Sequence, residues 1–154
     1  MNASGRSTEK QLAIVVDIDE TICTQFDIPV KSGVGVLRRA GQLGLQVHYV
    51  TARTTTCRDA TEEFMRAHRL PGNQNVHYCP IQLTSLEHKR RQHEWLSREF
   101  KIIASIGDSF EEEQAAAALG IPFVKVDPCR PADGWATLDD RIAELGCFKP
   151  GDTE

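Results

Sequence analysis

Acidic side chains follow directly on an apolar stretch near the start of the sequence, AIVVDIDETIC, which runs from Ala13 to Cys23. Taken alone, Asp17 and Asp19 fit a strand that runs out into a solvated loop. Two more polar segments also end apolar stretches, namely TART at 51–54 and GDS at 107–109. If the three segments meet at one rim, their carboxylates repel one another unless a cation neutralises them. Their convergence therefore predicts a cation site.

The ligand atoms in these segments are oxygens, which predicts a hard cation. Asp17, Asp19 and Asp108 supply them, and no His or Cys lies at a spacing suited to a metal ligand. Mg²⁺ is the cation that such ligands favour. Because Mg²⁺ in proteins commonly accompanies phosphate groups, we expect phosphate chemistry at this rim.

A lysine would complete such a site by balancing the charge of a phosphoryl group. Lys101 begins a predicted strand and therefore belongs to the opposite edge of the sheet, whereas Lys89 lies in the first turn of a predicted helix. Gln92 and Leu96 share a helix face with Lys89, so this face should point towards the sheet. The alternative is that Lys89 belongs to a solvated basic run, HKRR. We favour Lys89 as the site lysine.

Five apolar segments of strand length must position these residues. The predicted strands cover 12–18, 45–51, 75–79, 101–107 and 121–126. The segments between them predict helices over 33–44, 54–70, 86–100 and 109–120, and a short closing helix over 136–145 follows a proline-rich turn. This alternation predicts an α/β fold with a mostly parallel sheet and helices on both faces. In such sheets ligands bind at the edge where the strands end.

The composition favours one globular domain over 1–154, with a core at about 12–126 and a turn, closing helix and tail at 127–154. A formal net charge of −4 disfavours broad duplex binding. Five cysteines without a CxxC pair fit reduced thiols better than a disulfide framework or a zinc ribbon. No segment approaches the ~20 apolar residues of a membrane helix, so we expect a cytoplasmic protein that is neither exported nor membrane-bound.

The motifs, in their order and spacing, resemble the four signature motifs of the haloacid dehalogenase superfamily, in its phosphatase branch. DIDET resembles DxDxT, VTAR the second motif, Lys89 the third, and IGDSFEE the acidic fourth. The resemblance covers roughly 12–126. It implies a three-layer Rossmann-like fold whose five strands have the order 5-4-1-2-3. The family often carries a cap domain between these motifs, but the intervals here are short, so we expect a capless member.

The resemblance implies a Mg²⁺-dependent phosphatase. Asp17 would attack phosphorus to give an aspartyl-phosphate, and Asp19 would protonate the leaving oxygen and then deprotonate the hydrolytic water. Asp17, Asp108 and the backbone carbonyl of Asp19 would hold Mg²⁺. Thr51 would bind a phosphoryl oxygen, and Lys89 would steady Asp17 and the transferring group.

Substrate contacts are expected from Thr51, Ala52, Arg53 and Lys89. To act as an acid, Asp19 must hold a proton, which requires partial burial and neighbouring negative charge. A hydrophobic flap over 22–30 could exclude water. In the fourth motif the family often has a second aspartate where this chain has Ser109 and then Glu112. Whether Glu111 or Glu112 supports the metal site therefore stays open.

Two alternative functions stay open. A phosphatase acting on nucleic-acid ends, similar to polynucleotide 3′-phosphatases, would use the open site, with Arg90, Arg91 and Arg98 meeting the backbone. A catalytically silent binding protein could use the same fold, although it would not need the full set of site residues. The substrate is thus a phosphorylated small molecule or a nucleic-acid end, and a homo-oligomer could cover the site.

Other residues of the third helix are expected to have structural roles. Trp95 is predicted to lie in the core rather than to form a stacking platform. His88 and His93 are five residues apart, so they are not expected to share a helix face as metal ligands.

Overall fold

The computed structural model of the chain describes residues 9–146, which form seven strands and five α-helices. The strands are β1 Leu12–Val16, β2 Cys23–Thr24, β3 Ile28–Pro29, β4 Gln46–Val50, β5 Val76–His77, β6 Lys101–Gly107 and β7 Phe123–Lys125. The helices are α1 Lys31–Gln42, α2 Arg58–Ala67, α3 Ser85–Glu99, α4 Phe110–Ala117 and α5 Pro131–Gly146, with short 3₁₀ turns at Gln25–Asp27 and Thr55–Cys57.

The main sheet contains five parallel strands in the order β5-β4-β1-β6-β7. Numbered along the predicted strands, this order is 3-2-1-4-5, which is the expected 5-4-1-2-3 counted from the other edge. The two strands that were not predicted, β2 and β3, form an antiparallel hairpin within the expected flap. Between β1 and α3 the described chain contains this hairpin, α1, β4, α2 and β5, which leaves no room for a cap domain.

Two apolar layers lie on opposite faces of the sheet, as the period of two along a strand requires. Ile14 and Val16 of β1 point to the face covered by α1, α2 and α5. Ala13 and Val15 point to the face covered by α3 and α4. The expected α/β class and three-layer arrangement are therefore confirmed.

Several helix boundaries differ from the prediction by one to five residues, and two of these differences have an identifiable physical reason. The closing helix begins at Pro131 rather than at residue 136, because the fixed φ of proline and its missing N–H suit the first position of a helix. The second helix begins at Arg58 rather than at 54, since the threonines before it form a 3₁₀ turn instead.

The core prediction for Trp95 is wrong. Its side chain is exposed, and its ring packs against the edge of the fold beside His77. In its place α3 buries His88, Lys89, His93 and Leu96, so most of its buried face is polar. Because polar residues occupy the buried face of α3, the spacing of apolar residues does not indicate which face packs on the sheet. Trp95, a large apolar residue, is therefore predicted to be in the core although it lies on the exposed face.

The cysteines among residues 9–146 form no disulfide bonds. Free thiols occur at Cys23, Cys57, Cys79 and Cys129. Cys147, the polar N-terminal segment at 1–8 and the tail at 147–154 lie outside the described residues. Among residues 9–146, no helix has both the length and the apolar character needed to cross a membrane.

Buried histidines join α3 to the sheet. The ring of His93 donates from Nδ1 to the carbonyl oxygen of Lys89 at 2.7 Å, and its Nε2 accepts from the Ser105 hydroxyl at 2.9 Å. His88 Nε2 donates to the carbonyl oxygen of His77 at 2.9 Å. Burial lowers the pKa of His93 to about 4 and that of His77 to about 4. These rings are therefore neutral near pH 7.

We expect His93 to make the protein acid-sensitive. As pH falls from 6.5 towards 4, the unfolded chain takes up a proton on His93 that the folded chain does not, so the free energy of unfolding decreases. His93 should account for about 3 kcal/mol of the decrease in the free energy of unfolding between pH 7 and pH 4. Urea unfolding at both pH values should show a smaller pH effect in His93→Gln. His68→Gln, at a partly exposed site, should keep the full effect, and equal effects in all three proteins would contradict the prediction.

Candidate active site

Polar residues from three adjacent strands meet at the carboxyl edge of the sheet. Asp17 follows β1, Thr51 follows β4, and Asp108 follows β6. Since β1 lies between β4 and β6, Asp17 occupies the centre of this edge. Its backbone N–H donates to the carbonyl oxygen of Ile106 at 3.0 Å, which fixes it to the end of β6.

Asp17 is a buried carboxylate on the α3 and α4 side of the sheet. The hydroxyl of Thr21 donates to its Oδ2 at 3.2 Å, and Lys89 Nζ lies 3.4 Å from its Oδ1. Burial, together with the neighbouring Asp108, raises the pKa of Asp17 to about 7 against the opposing charge of Lys89. A nearby cation would therefore be needed to hold this carboxylate in its charged form.

A tight backbone turn after β1 positions Asp17 and Asp19. The N–H groups of Thr21, Ile22 and Cys23 all point to the carbonyl oxygen of Ile18, at 3.2, 3.0 and 3.3 Å. The indole of Trp135, on α5, donates to the carbonyl oxygen of Thr21 at 2.9 Å. Sequence reasoning did not select either Thr21 or Trp135, although Thr21 is the last residue of the DIDET motif.

Lys89 lies deep in the site, with about 3% of its surface exposed. Besides Asp17, it forms an ion pair with Glu112 on α4. Glu112 also accepts hydrogen bonds from the backbone N–H and hydroxyl of Ser109, at 3.0 and 2.7 Å. Lys89 is therefore not part of a solvated basic run, whereas Arg90 and Arg91 beside it are exposed.

The acidic residues fit a divalent cation. Single oxygens of Asp17, Asp108 and Glu112 all lie within 4.8 Å of one another. Three carboxylates face the single positive charge of Lys89, which leaves an excess of two negative charges when all are ionised. Hard oxygen ligands and this excess suit Mg²⁺. Glu112 belongs to this group, while Glu111 instead accepts from the Ser85 hydroxyl at 2.7 Å.

Gly107 makes room for Glu112. A Cβ atom at this position would lie 2.6 Å from Glu112 Oε2 and 2.9 Å from its Cγ, closer than real contacts allow. The GDS segment therefore needs glycine at position 107, because the Glu112 carboxylate that pairs with Lys89 packs too closely to allow a Cβ atom there.

We expect Gly107→Ala to lower turnover while the protein remains folded. The added methyl must displace the Glu112 carboxylate, which loosens Lys89, so turnover should fall about tenfold or more while the free energy of unfolding falls by about 1–3 kcal/mol. Steady-state kinetics and urea unfolding measure the two effects. Gly35→Ala is the control, because a Cβ there meets only the flexible end of Arg39 at 3.7 Å. Unchanged turnover in Gly107→Ala would contradict the prediction.

The surroundings of Asp19 differ from those expected. Its side chain is 54% exposed, and its nearest charge is positive: Arg53 donates from Nη2 to Oδ1 at 2.8 Å and from Nε to Oδ2 at 3.1 Å. Arg53 Nη2 also reaches Asp27 of the flap at 2.8 Å, and Nη1 donates to Thr61 on α2 at 2.9 Å. The nearest charged partner of Asp19 is therefore Arg53, and the carboxylate of Asp27 lies on the same guanidinium nitrogen.

Some of the remaining residues that were expected to contact the substrate lie at the carboxyl edge of the sheet, and one lies far from it. Thr51 is fully buried, and its Oγ1 accepts from the backbone N–H of Arg53 at 3.0 Å, which leaves its hydroxyl hydrogen free to donate. Ala52, next to it, is exposed at the rim. Arg98 is exposed on α3 near the far edge of the sheet, away from the carboxylates. The structure thus brings Thr51, Ala52 and Arg53 to the site but not Arg98.

Comparison with known proteins identifies solved structures that share this fold. No protein-family model matches the chain, and no curated protein sequence matches it. The class C acid phosphatase from Bacillus anthracis is a similar solved structure, with a TM-score of 0.63 and 17% identity over 96% of this chain and 84% of that one. The chain has the haloacid dehalogenase fold.

Two further structures share this haloacid dehalogenase fold. The D,D-heptose 1,7-bisphosphate phosphatase from B. bronchiseptica, complexed with magnesium and phosphate, has a TM-score of 0.60 and 17% identity over 83% of this chain and 87% of that one. A chain of the Pnkp1/Rnl/Hen1 RNA repair complex has a TM-score of 0.60 and 15% identity over 76% of this chain and 42% of that one. At these identities the likeness establishes the fold.

Proposed function

We propose that the protein is a Mg²⁺-dependent phosphomonoester hydrolase that forms an aspartyl-phosphate on Asp17. The observation that carries the proposal is the position of Asp17: buried at the end of the central strand, 3.4 Å from Lys89 and grouped with Asp108 and Glu112. A scaffold without catalysis has no need to bury this excess of charge. The likeness to the heptose bisphosphate phosphatase with magnesium and phosphate supports the same conclusion.

In the first step an oxygen of Asp17 forms a bond to phosphorus while the ester P–O bond breaks. The Thr51 hydroxyl donates to one phosphoryl oxygen, and the Lys89 ammonium stabilises the charge on Asp17 and on the transferring group. Mg²⁺ bound by Asp17, Asp108 and the Asp19 carbonyl would neutralise the repulsion between nucleophile and phosphate. The network of Glu112 and Ser109 keeps Lys89 in place.

Asp19 supplies the proton for the leaving oxygen in this scheme, then removes a proton from the water that releases phosphate. The ion pair with Arg53 must first loosen, because Arg53 donates to both carboxylate oxygens of Asp19 and so keeps them from the leaving oxygen. An incoming phosphate dianion offers Arg53 a second acceptor. Ala52 lies beside Thr51 at the rim, where its backbone can meet the same phosphoryl group.

The proposal is tested with 4-nitrophenyl phosphate in the presence of Mg²⁺ or of a chelator. We expect turnover with Mg²⁺ and none with the chelator. In Asp19→Asn the second step slows more than the first when the leaving group is good, so intact-mass spectrometry should show a phosphate adduct. Hydrolysis that is equally fast with the chelator would refute the metal requirement, and an adduct-free Asp19→Asn would refute its role in the second step.

A nucleic-acid end is a second candidate substrate. The likeness to a chain of the RNA repair complex and the exposed Arg90 and Arg91, on the helix that carries Lys89, favour it. Because phosphate contacts release counterions, the KM for an oligonucleotide 3′-phosphate should then rise steeply with salt. A KM that does not change with salt favours a small phosphorylated molecule.

We further propose that 1–154 acts as a single hydrolase domain in the cytoplasm. The free thiols at Cys23, Cys57, Cys79 and Cys129 support a reducing compartment. Localisation of a tagged full chain by cell fractionation tests this part of the proposal.

A further inference from the structure

The most exposed apolar side chains of the described chain surround the site. Phe26 is 91% exposed, Ile81 84%, Phe110 60% and Ile28 57%, whereas the other exposed large apolar residues reach at most 42%. Phe26 and Ile28 lie on the flap after β1, Ile81 in the loop before α3, and Phe110 two residues after Asp108. Exposed apolar residues concentrated in this way mark a binding surface.

The tip of the flap holds Phe26 in a strained conformation. Phe26 has φ 62 and ψ 26, and Asp27 has φ 56, so two consecutive non-glycine residues are left-handed. An aromatic residue rarely adopts this conformation, and such strain persists only where surrounding contacts impose it. The side chain gains no burial in return, since it stands almost fully in solvent.

Arg53 supplies the contact that holds the flap tip. Its Nη2 bonds Asp27 at 2.8 Å and Asp19 at 2.8 Å, and its side chain is only 11% exposed. A mostly buried guanidinium with four side-chain partners, here Asp19, Cys23, Asp27 and Thr61, is fixed in direction. The ion pair of Arg53 and Asp27 therefore couples the position of Phe26 to the site.

We propose that Phe26, held by Asp27 and Arg53, contacts a planar aromatic group on the leaving-group side of the substrate, together with Phe110 at the start of α4. This inference rests on the proposed phosphatase function and adds the class of substrate. The centre of the rim is anionic and suited to a phosphate held through a cation, while its border is apolar and aromatic. A phosphate monoester that carries an aromatic ring matches both parts, because aromatic rings stack favourably on one another.

A second copy of the chain is a less suitable occupant of this rim. The four exposed residues lie on three separate segments around a group of carboxylates, so an apolar partner surface laid across them would also bury those charges. Burying unpaired carboxylates is costly. A phosphate ester held through a cation leaves the carboxylates neutralised by that cation, whereas an apolar surface of a second copy brings no such charge.

The test compares benzyl phosphate with glycerol 1-phosphate, since both release primary alcohols and only one carries an aromatic ring. For each protein, the measured quantity is the ratio of their kcat/KM values. In Phe26→Ala we expect this ratio to fall about tenfold or more, chiefly through KM for benzyl phosphate. Phe26→Trp should keep the ratio, and Leu119→Ala, an exposed apolar residue beyond α4, should leave it unchanged.

Asp27 is a positioning residue in this scheme, so its effect should depend on Phe26. Asp27→Asn should lower the ratio several-fold, and Asp27→Glu should restore part of it. In the Phe26→Ala background, Asp27→Asn should change the ratio no further. A general structural role would instead lower kcat/KM equally for both substrates, and that outcome would overturn the proposal.

The remaining outcomes separate this inference from the function on which it rests. If the wild-type protein hydrolyses neither ester nor 4-nitrophenyl phosphate, the proposed function fails. If it hydrolyses both esters and Phe26→Ala leaves their ratio unchanged, only the inference fails. Sedimentation in which Phe26→Ala abolishes self-association without changing the ratio would assign the rim to a second copy. Thymidine 5′-phosphate and 3′-phosphate show whether the preferred ring is a nucleobase.

Discussion

Asp17→Asn should abolish phosphate ester hydrolysis, with turnover reduced by at least about 10⁴-fold, as for the loss of a nucleophile in other covalent mechanisms. The amide that replaces the carboxylate keeps its size and can still accept a hydrogen bond from Thr21, but it is a poor nucleophile. It also removes one of the three carboxylates that favour a divalent cation. Loss of activity should therefore be accompanied by weaker Mg²⁺ binding.

The experiment measures turnover, phospho-enzyme and stability in the same preparation. Turnover of 4-nitrophenyl phosphate and the phosphate adduct in intact-mass spectra should both disappear in Asp17→Asn. Unfolding by urea should remain cooperative, because burial already penalises the charge that the substitution removes. Asp140→Asn, on an exposed position of α5, is the matched control and should retain full activity. Measurable turnover by Asp17→Asn would assign the nucleophile elsewhere.

Much of this site could be predicted from local sequence patterns. The period of two in AIVVDID points Asp17 and Ile18 to opposite faces of the sheet, and the position of Lys89 near the N-terminal end of α3 brings it to the edge where β1 ends. Both inferences need only the periodicity of one element and the right-handed connection between strands. Both inferences remain valid when a predicted helix boundary is wrong by a few residues.

The pairings between distant segments could not be predicted in the same way. Lys89 pairs with Glu112 in addition to Asp17, and Asp19 pairs with Arg53. Each of these contacts depends on side-chain directions from two elements and on the turn between them. The left-handed φ of Phe26 is likewise invisible, because no glycine or asparagine occupies the flap tip to signal it.

Lys89→Met should remove both activity and stability, because Lys89 is the cation that pairs with two buried carboxylates. Turnover should fall about a thousandfold or more. Removing one partner of a buried ion pair leaves an uncompensated charge and costs about 3–5 kcal/mol. The free energy of unfolding of Lys89→Met should be smaller at pH 8 than at pH 6, because at the lower pH the unpaired carboxylates take up protons and no longer repel one another. Stability therefore falls as pH rises.

A second substitution separates the two losses. In Lys89→Met/Glu112→Gln the surplus carboxylate of Glu112 is gone, so part of the lost free energy of unfolding should return while turnover stays low. Lys101→Met, at the exposed start of β6 on the opposite edge, should leave both unchanged. Recovery of turnover together with stability would mean that Lys89 acts only through folding. Recovery of stability alone, in a double variant that still binds Mg²⁺ as tightly as the wild-type protein, would show that its ammonium is needed beside Asp17 for the reaction itself.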